Sequence, residues 1–516
     1  MERENNFKQN RILTNIGCES TGEYVLPDYK GDVKKILLTK VNAVPSGKFP
    51  GQDRVELVGK VLYSIVYIDG ENQLTSVDFD TDYQLEVRCD DEKFVDAIGV
   101  TRVGGYSVRL MGPRKFSVKA SLVSDVGITE AASINLEGDA FEREDVECLG
   151  EKVTVGASVI GEVRNKEYRE TIAEIEGAIE EEIELLLLNT EPRVSSVNCF
   201  DGEAEVTGDV AVTALISRNG EMPYTSCVKI PISERVEMDG IREGAEAMGH
   251  MYIGSAKSQI ESSDEGVTLF ITLSVDVEVF ATEQRDMEVC LDAYTCSSEC
   301  EVEYGTLNYS TPPFPISTLE NLSYEIPFNE CSVENLRNVV YSVGAVVADE
   351  CAVEDGAPVV RGKVRLSGIA CEINEDGSVG YSPLKLDLPF DINVNKTCQF
   401  TDNARLICSV VPKDISVTND SEKLYVTLSL DITGAIYDNA SAVCVKSCKV
   451  SSPLKNRDKS ELVVYYPDTE DSLFDIAKRY HTTVMKIASA NSLTESVFNA
   501  KGTKGCLGGI KKLIIK

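Results

Sequence analysis

The sequence predicts a mainly β chain of three tandem sandwich- or barrel-like repeats followed by a small βααβ module, and three observations carry that prediction. Apolar residues alternate with period two along most of the length. A short pattern around a glycine returns at spacings of 149 and 154 residues. Sustained helical periodicity is concentrated in roughly the last 55 residues.

The repeat is seen in Val55-Glu-Leu-Val-Gly59-Lys-Val61, which returns as Ala204-Glu-Val-Thr-Gly208-Asp-Val210 and as Pro358-Val-Val-Arg-Gly362-Lys-Val364. Flanking features keep their offsets. Phe116 to Val123, Leu269 to Val277 and Leu424 to Ile432 all alternate as strands do. Cys290 and Cys444 lie 82 residues past their glycines and Cys148 lies 89 past its own, while Tyr24-Val-Leu-Pro27 matches Tyr324-Glu-Ile-Pro327. Asp69-Gly70, Asn219-Gly220 and Asp376-Gly377 supply turns between β-rich runs. A glycine inside a strand marks a bulge or a close backbone approach, and that is the expectation for Gly59, Gly208 and Gly362. Ile175, Ile179, Ile183 and Leu187, with Glu180 to Glu182 and Glu184 opposite, predict a short acidic helix joining units.

The chain therefore divides into a tail at 1–20, a first repeat at 21–150, an acidic connector and second repeat at 151–310, a third repeat at 311–450, a charged linker at 451–460 and a terminal module at 461–516. The formal charge is −34, yet residues 460–516 carry 8 Lys+Arg against 6 Asp+Glu, leaving −36 upstream. This contrast and the linker predict a module that folds and works on its own.

Composition narrows the function. Excess negative charge repels phosphate backbones and anionic lipid, so nucleic acid and membrane insertion are poor expectations and a cationic or protein partner fits better. The first ten residues are charged where a signal peptide is apolar, so a cytoplasmic protein is expected. The 16 cysteines contain no CxxC pair, so reduced, half-buried thiols are expected rather than a metal site, including at Cys296-x3-Cys300 and Cys444-x3-Cys448. Only His250 and His481 are available as imidazole bases, and no phosphate-cradling Gly-x-x-x-x-Gly-Lys-Ser/Thr loop occurs. No catalytic residue, metal or cofactor is expected.

In the terminal module Leu462 to Tyr466 reads as a strand. Leu473, Ile476, Ala477 and Tyr480 share one helical face, Thr482-Thr483 offers an N-cap, and Val484, Ile487 and Ala488 form a second stripe before Leu513 to Lys516 closes as a strand. Tyr465, Asp471-Ser472-Leu473, Ile476-Ala477-Lys478-Arg479-Tyr480, Thr483-Val484, Asn491 and Leu513-x-Ile515 resemble the LysM domain. Pro467, Glu470 and Lys516 depart from its usual Val, Gly and Pro, and Phe474 stands where Trp is common. The resemblance implies a groove for the N-acetylglucosamine of peptidoglycan or chitin, flanked by Asp468, Thr469, Glu470, Asp471 and Ser472 on one side and Asn491, Ser492 and Leu493 on the other. Glu470 adds bulk and charge there, and Pro467 stiffens the entrance. Phe474, between Leu473 and Ile476 and off the core stripe, is the expected exposed anchor for a partner.

Upstream, Cys290-Leu-Asp-Ala-Tyr-Thr295 followed by Cys300-Glu-Val-Glu-Tyr304 resembles the SPOCS domain, a β-rich repeat of endospore-forming bacteria. What this resemblance implies is a structural protein of spore-coat assembly in the mother-cell cytosol, at the forespore surface. Its LysM-like module would dock to the coat-anchoring ATPase, stage IV sporulation protein A. The alternative is a protein that binds peptidoglycan through the LysM groove.

Overall fold

The computed structural model describes residues 6–51, 53–89, 93–133, 143–218, 221–331, 336–373, 379–394, 400–420, 422–454 and 462–515. In the first unit β1 (Asn6–Val25), β2 (Val33–Pro50), β3 (Arg54–Asp69), β4 (Leu74–Arg88), β5 (Phe94–Gly112) and β6 (Lys115–Ser133) form two antiparallel sheets, β1-β6-β5 and β2-β3-β4. The second unit uses β7 (Val146–Glu176), β8 (Ile183–Phe200), β9 (Glu203–Arg218), β10 (Tyr224–Glu237), β11 (Ala247–Ser263) and β12 (Gly266–Thr295) in the same order, β7-β12-β11 and β8-β9-β10. After β13 (Ser298–Ser310), the third unit repeats it with β14 (Phe314–Pro327), β15 (Leu336–Glu354), β16 (Ala357–Ile373), β17 (Val379–Asn393), β18 (Arg405–Asn419) and β19 (Lys423–Tyr437), as β14-β19-β18 and β15-β16-β17. β20 (Asn439–Pro453) returns to pair with β13.

Each unit is a sandwich because its two central strands are apolar on the faces that meet. Val61, Tyr63 and Ile65 of β3 pack toward Phe116, Val118 and Leu122 of β6. Val206, Val210 and Val212 meet Leu269, Ile271 and Leu273 in the second unit, and Val360, Val364 and Leu366 meet Leu424, Val426 and Leu428 in the third. Every such side chain contributes about 1.5–3 kcal/mol by leaving water.

The three glycines occupy equivalent places in the central strands β3, β9 and β16. Each lies opposite a bulge in the neighbouring edge strand: Gly59 opposite Pro45, Gly208 opposite Val194 and Gly362 opposite Ala348, with the register slipping immediately after. At Gly59 and Gly208 the edge strand pushes a backbone carbonyl, of Val44 and Arg193, into the space a side chain would need. A second device recurs in the other sheet. Asp125, Asp276 and Asp431 sit on the central strands β6, β12 and β19, each paired with a cation: Arg102, Arg164 and Lys413. Asp125 and Asp276 also accept the backbone N–H of a left-handed asparagine at a bulge, Asn15 at 2.8 Å and Asn165 at 2.7 Å.

A seam of apolar residues ties the units together. Leu37, Leu38 and Val66 of the first, Leu186, Leu187 and Leu215 of the second, and Val343 and Ile369 of the third are buried in one cluster, with Val340 and Tyr341 against it. Val66, Leu215 and Ile369 each lie seven residues beyond their glycine, and Leu38, Leu187 and Tyr341 each lie 21 before it.

Several expectations are corrected. Asn6 to Ser20 are not a tail but most of β1, hidden from pattern reading because the bulge at Asn15 breaks its alternation. The expected acidic helix is absent. Ile175 lies on β7 opposite Val267, next to its end, Glu180–Glu182 make one 3-10 turn, and Leu185 to Leu188 run along β8, so β-branched residues and ladder pairing override the helical spacing. Cys148 is not the positional equivalent of Cys290 and Cys444 at the end of a unit; it lies on β7 opposite Ala293 and opens the second unit. β7 and β12 form one long ribbon, whereas its counterpart in the third unit breaks at Pro312 and Pro313, which cannot donate to a ladder, leaving β13–β20 as a separate pair. Asp69 closes its hairpin as expected, accepting the N–H groups of Glu71 and Gln73. The turns Asn219-Gly220 and Asp376-Gly377 lie outside the described residues, as do linker residues 455–460, while Ser451 to Pro453 belong to β20.

A Cβ at Gly208 would fall 2.1 Å from the Arg193 carbonyl oxygen, whereas one at Gly105 meets nothing within 4 Å. Gly208→Ala is therefore expected to cost about 1–3 kcal/mol in thermal or urea unfolding, and Gly105→Ala to stay within about 0.5 kcal/mol. Equal losses at the two sites would refute the bulge explanation.

Candidate functional site

The terminal module pairs β21 (Val463–Tyr465) with β22 (Leu513–Ile515) and carries α1 (Leu473–Arg479), α2 (Val484–Ala490) and a third short helix that the pattern did not predict, α3 (Glu495–Asn499). Ser472 caps α1 by accepting the Asp475 N–H at 3.1 Å, and Thr483 caps α2 by accepting that of Lys486 at 3.1 Å. Leu473, Ile476, Ala477, Val484 and Ile487 form the core with Leu507, Leu513 and Ile515.

The sequence-derived groove residues divide into two groups. Asp468, Thr469, Glu470 and Ser492 are exposed. Glu470 meets Lys504 at 3.1 Å, and Ser492 takes a left-handed conformation just after α2. The others are internal supports. Asp471 accepts from the Tyr465 hydroxyl at 2.7 Å and the Asp468 N–H at 2.9 Å. Burial raises its carboxyl pKa, but the N–H and hydroxyl donors, with Arg479 nearby, outweigh that and hold it below the usual carboxylate value. Asn491 bonds both backbone groups of Ile514, at 2.8 and 2.7 Å, and so fixes β22 to the end of α2. Leu493 is half-buried against the core.

Phe474 is not an exposed anchor. It is 1% exposed and lies edge-on to Tyr294, with ring centroids 5.2 Å apart. The residue was misjudged from its position beside the helix stripe, because the surface it turns to is covered by another part of the chain. Tyr294 belongs to the end of β12 and donates to the Thr482 carbonyl at 2.7 Å in a buried bond. Asp292 receives Lys478 through both oxygens, at 2.8 and 2.6 Å, and also accepts from Tyr304 at 2.8 Å. His481, just beyond α1, is half-buried, its Nδ1 3.3 Å from the Thr295 carbonyl. The Asp292-Ala293-Tyr294 string thus forms a seat for the module on the second unit. No spacing rule connects it to residues about 186 positions later.

Two further features escaped sequence reading. The segment after α3 packs on the first groove loop: the Phe474 N–H donates to the Lys501 carbonyl at 2.9 Å and the Gly505 N–H to that of Asp471 at 3.3 Å. Leu462, Val464 and Tyr466 alternate along one face at β21 and are exposed, Tyr466 by 71%. This stripe supplies the accessible aromatic that Phe474 does not.

Elsewhere, a cavity of about 940 Å³ is lined by edge strands of all three units, β2, β5, β8, β11, β15 and β18, with Lys40, Glu191, Lys413 and Asp431 among its charged groups. His250 stands in its wall, 8% exposed and edge-on to Phe280 at 5.3 Å. Burial lowers its pKa to about 4 against a smaller opposing pull from Asp431. It is a neutral packing group at neutral pH.

Fold and module together define a β-rich chain ending in a compact binding module rather than a catalytic one. The LysM domain model matches residues 469–497. That span includes Thr469 to Ser472 of the first groove loop, both core helices and Asn491. No curated protein matches the chain. Among the described residues no helix is long and apolar enough to cross a membrane.

Two predictions follow from this geometry. Tyr294→Ala should cost the seat about 3 kcal/mol and accelerate hydrogen exchange at α1, while Tyr304→Phe costs about 1 kcal/mol; unchanged exchange in both would mean that the module does not depend on its seat. With the folded pKa of His250 below the unfolded value, the unfolded chain binds the proton first as pH falls. The contribution of His250 to stability is complete above about pH 6.5 and falls away between about 6.5 and 4, by about 3 kcal/mol. Histidine NMR titration should give one of the two signals a midpoint near pH 4, and two midpoints near 6.5 would contradict the burial.

Proposed function

We propose that the protein is a non-enzymatic structural adaptor of spore-coat assembly, working in the basement layer at the forespore surface within the mother-cell cytosol. In this reading the LysM domain docks to the coat-anchoring ATPase, stage IV sporulation protein A, and the β units act as scaffold. The arrangement of β repeats ahead of a LysM domain resembles that of the clostridial spore-coat morphogenetic protein SipL, and the Asp292-Ala293-Tyr294 string resembles the SPOCS motif. The observation that carries a protein partner rather than a sugar is the exposed face of the module. Leu462, Val464 and Tyr466 offer an apolar anchor, and Asp468, Thr469, Glu470 and Lys504 offer a rim of mixed charge, the combination that protein hot spots use.

The second reading, binding of peptidoglycan N-acetylglucosamine, is favoured by the LysM match itself. Tyr466 could stack on a sugar ring in that case. The full chain and Tyr466→Ala separate the two readings in parallel assays against the purified ATPase and against insoluble peptidoglycan. We expect saturable binding to the ATPase, weakened at least tenfold by Tyr466→Ala with the melting temperature unchanged, and no saturable retention on peptidoglycan. Saturable peptidoglycan binding without ATPase binding would overturn the adaptor reading.

A further inference from the structure

The third unit holds a pair of thiols placed between its two sheets. Cys351 on β15 and Cys408 on β18 occupy edge strands of different sheets, and their sulfurs stand 3.6 Å apart. That is van der Waals contact, about 1.6 Å longer than a disulfide bond. Cys408 is fully buried, while Cys351 keeps partial exposure.

Arg102 reaches the pair from the first unit. Its Nη1 donates to Asp125 at 2.6 Å and to the Cys408 carbonyl at 3.4 Å, and its Nε is buried without a hydrogen-bond partner. A dry guanidinium with an unused N–H favours a further anion beside it, and Cys351, Asp125 and Cys408 are acidic groups whose charge acts on it. The hydrogen bond with Cys408 holds the Cys351 thiol below its ordinary pKa against the effect of burial, and Arg102 adds to the lowering. Cys408 is driven far the other way by the same bond and by burial. Cys448 is a contrast within the chain, since burial, Cys300, Cys148 and Asp292 all push its thiol upward, to about 12.

We propose that Cys351 and Cys408 form a reversible dithiol–disulfide site, oxidised by a hydroperoxide and reset by cellular thiols. The Cys351 thiolate attacks the peroxide O–O bond; the leaving oxygen takes up a proton as alcohol or water, and Cys351 becomes a sulfenic acid. The Cys408 sulfur then attacks the Cys351 sulfur. The S–S bond forms as hydroxide leaves, and it departs as water with the Cys408 proton. Two thiols and one hydroperoxide give one disulfide, one alcohol (or water) and one water. Reduction by two external thiols restores the pair through a mixed disulfide. Arg102 and Ser409 line the large cavity, which offers a small oxidant an approach. The bond would staple β15 to β18 across 57 residues of chain.

The test treats the full chain with hydrogen peroxide, alkylates the remaining thiols and maps the peptides without reduction. A Cys351–Cys408 cross-linked peptide, two hydrogens lighter and reversed by dithiothreitol, is the expected product, with the melting temperature raised by about 5 °C or more. In Cys408→Ser, Cys351 should stop at a sulfenic acid that dimedone traps. Recovery of both thiols alkylated while other cysteines oxidise would overturn the proposal, as would Cys351 passing to sulfinic acid with Cys408 present. The wild-type map decides the matter even if Cys408→Ser fails to fold.

Discussion

The rest of the structure depends on the apolar seam where the three units meet. A three-stranded sheet has two edges, and β2, β8 and β15 are the edges that each unit turns inward. Leu38, Leu187 and Tyr341 occupy one equivalent position on those strands, and Val66, Leu215 and Ile369 another on the strands beside them. These side chains find their apolar partners in the neighbouring units, so no single unit covers its own seam residues. At about 1.5–3 kcal/mol for each buried aliphatic side chain, the seam outweighs any surface ion pair in the chain. It also protects inner strand edges that would otherwise be open to pairing with other chains.

Repetition at the seam contrasts with divergence around the cavity. The position held by Lys40 in the first unit is held by Asn189 in the second and Val343 in the third, counting from the glycines. Next to it, Glu191 stands where Asn42 and Ala345 stand. The scaffold is therefore threefold in backbone and core but not in the chemistry of its interior. The buried Asp125 and Asp276 and the half-buried Asp431 belong to the scaffold, because the same carboxylate satisfies a bulge N–H in the first two units and a cation in all three.

The terminal module is held by a different logic. Its helices are capped and its core is its own, yet Phe474 is covered by Tyr294, and Lys478 is neutralised by Asp292. The chain reaches this seat because β20 pairs back onto β13, carrying the end of the third unit alongside the second. The faces of the module are thereby divided: one side of α1 is committed to the body, and the stripe ending at Tyr466 is left free.

Much of this was legible in the sequence, and the physical reason is local. Period-two alternation in β3, β9 and β16 needs only each strand's own residues, and so does the capping of α2 by Thr483. The glycine spacing gave the repeat, and opposite a bulge glycine is favoured whatever lies further away. The alternation failed where a bulge or proline shifted its phase, as in β1 and at Pro312-Pro313, and the helical spacing of Ile175 to Leu187 yielded to ladder partners contributed by distant strands. Of the candidate site residues, the loop at Asp468 to Ser472 was placed by the resemblance to the LysM domain, but the roles of Asp471 and Asn491 depend on Tyr465 and Ile514, which pattern does not place beside them. Whether Phe474 faces solvent was decided by Tyr294, and whether Cys351 meets Cys408 by the packing of two sheets. Residues about 180 and 57 positions apart are brought together only by the closed tertiary structure, since short-range pattern carries no information about which surfaces become neighbours once the seam has formed.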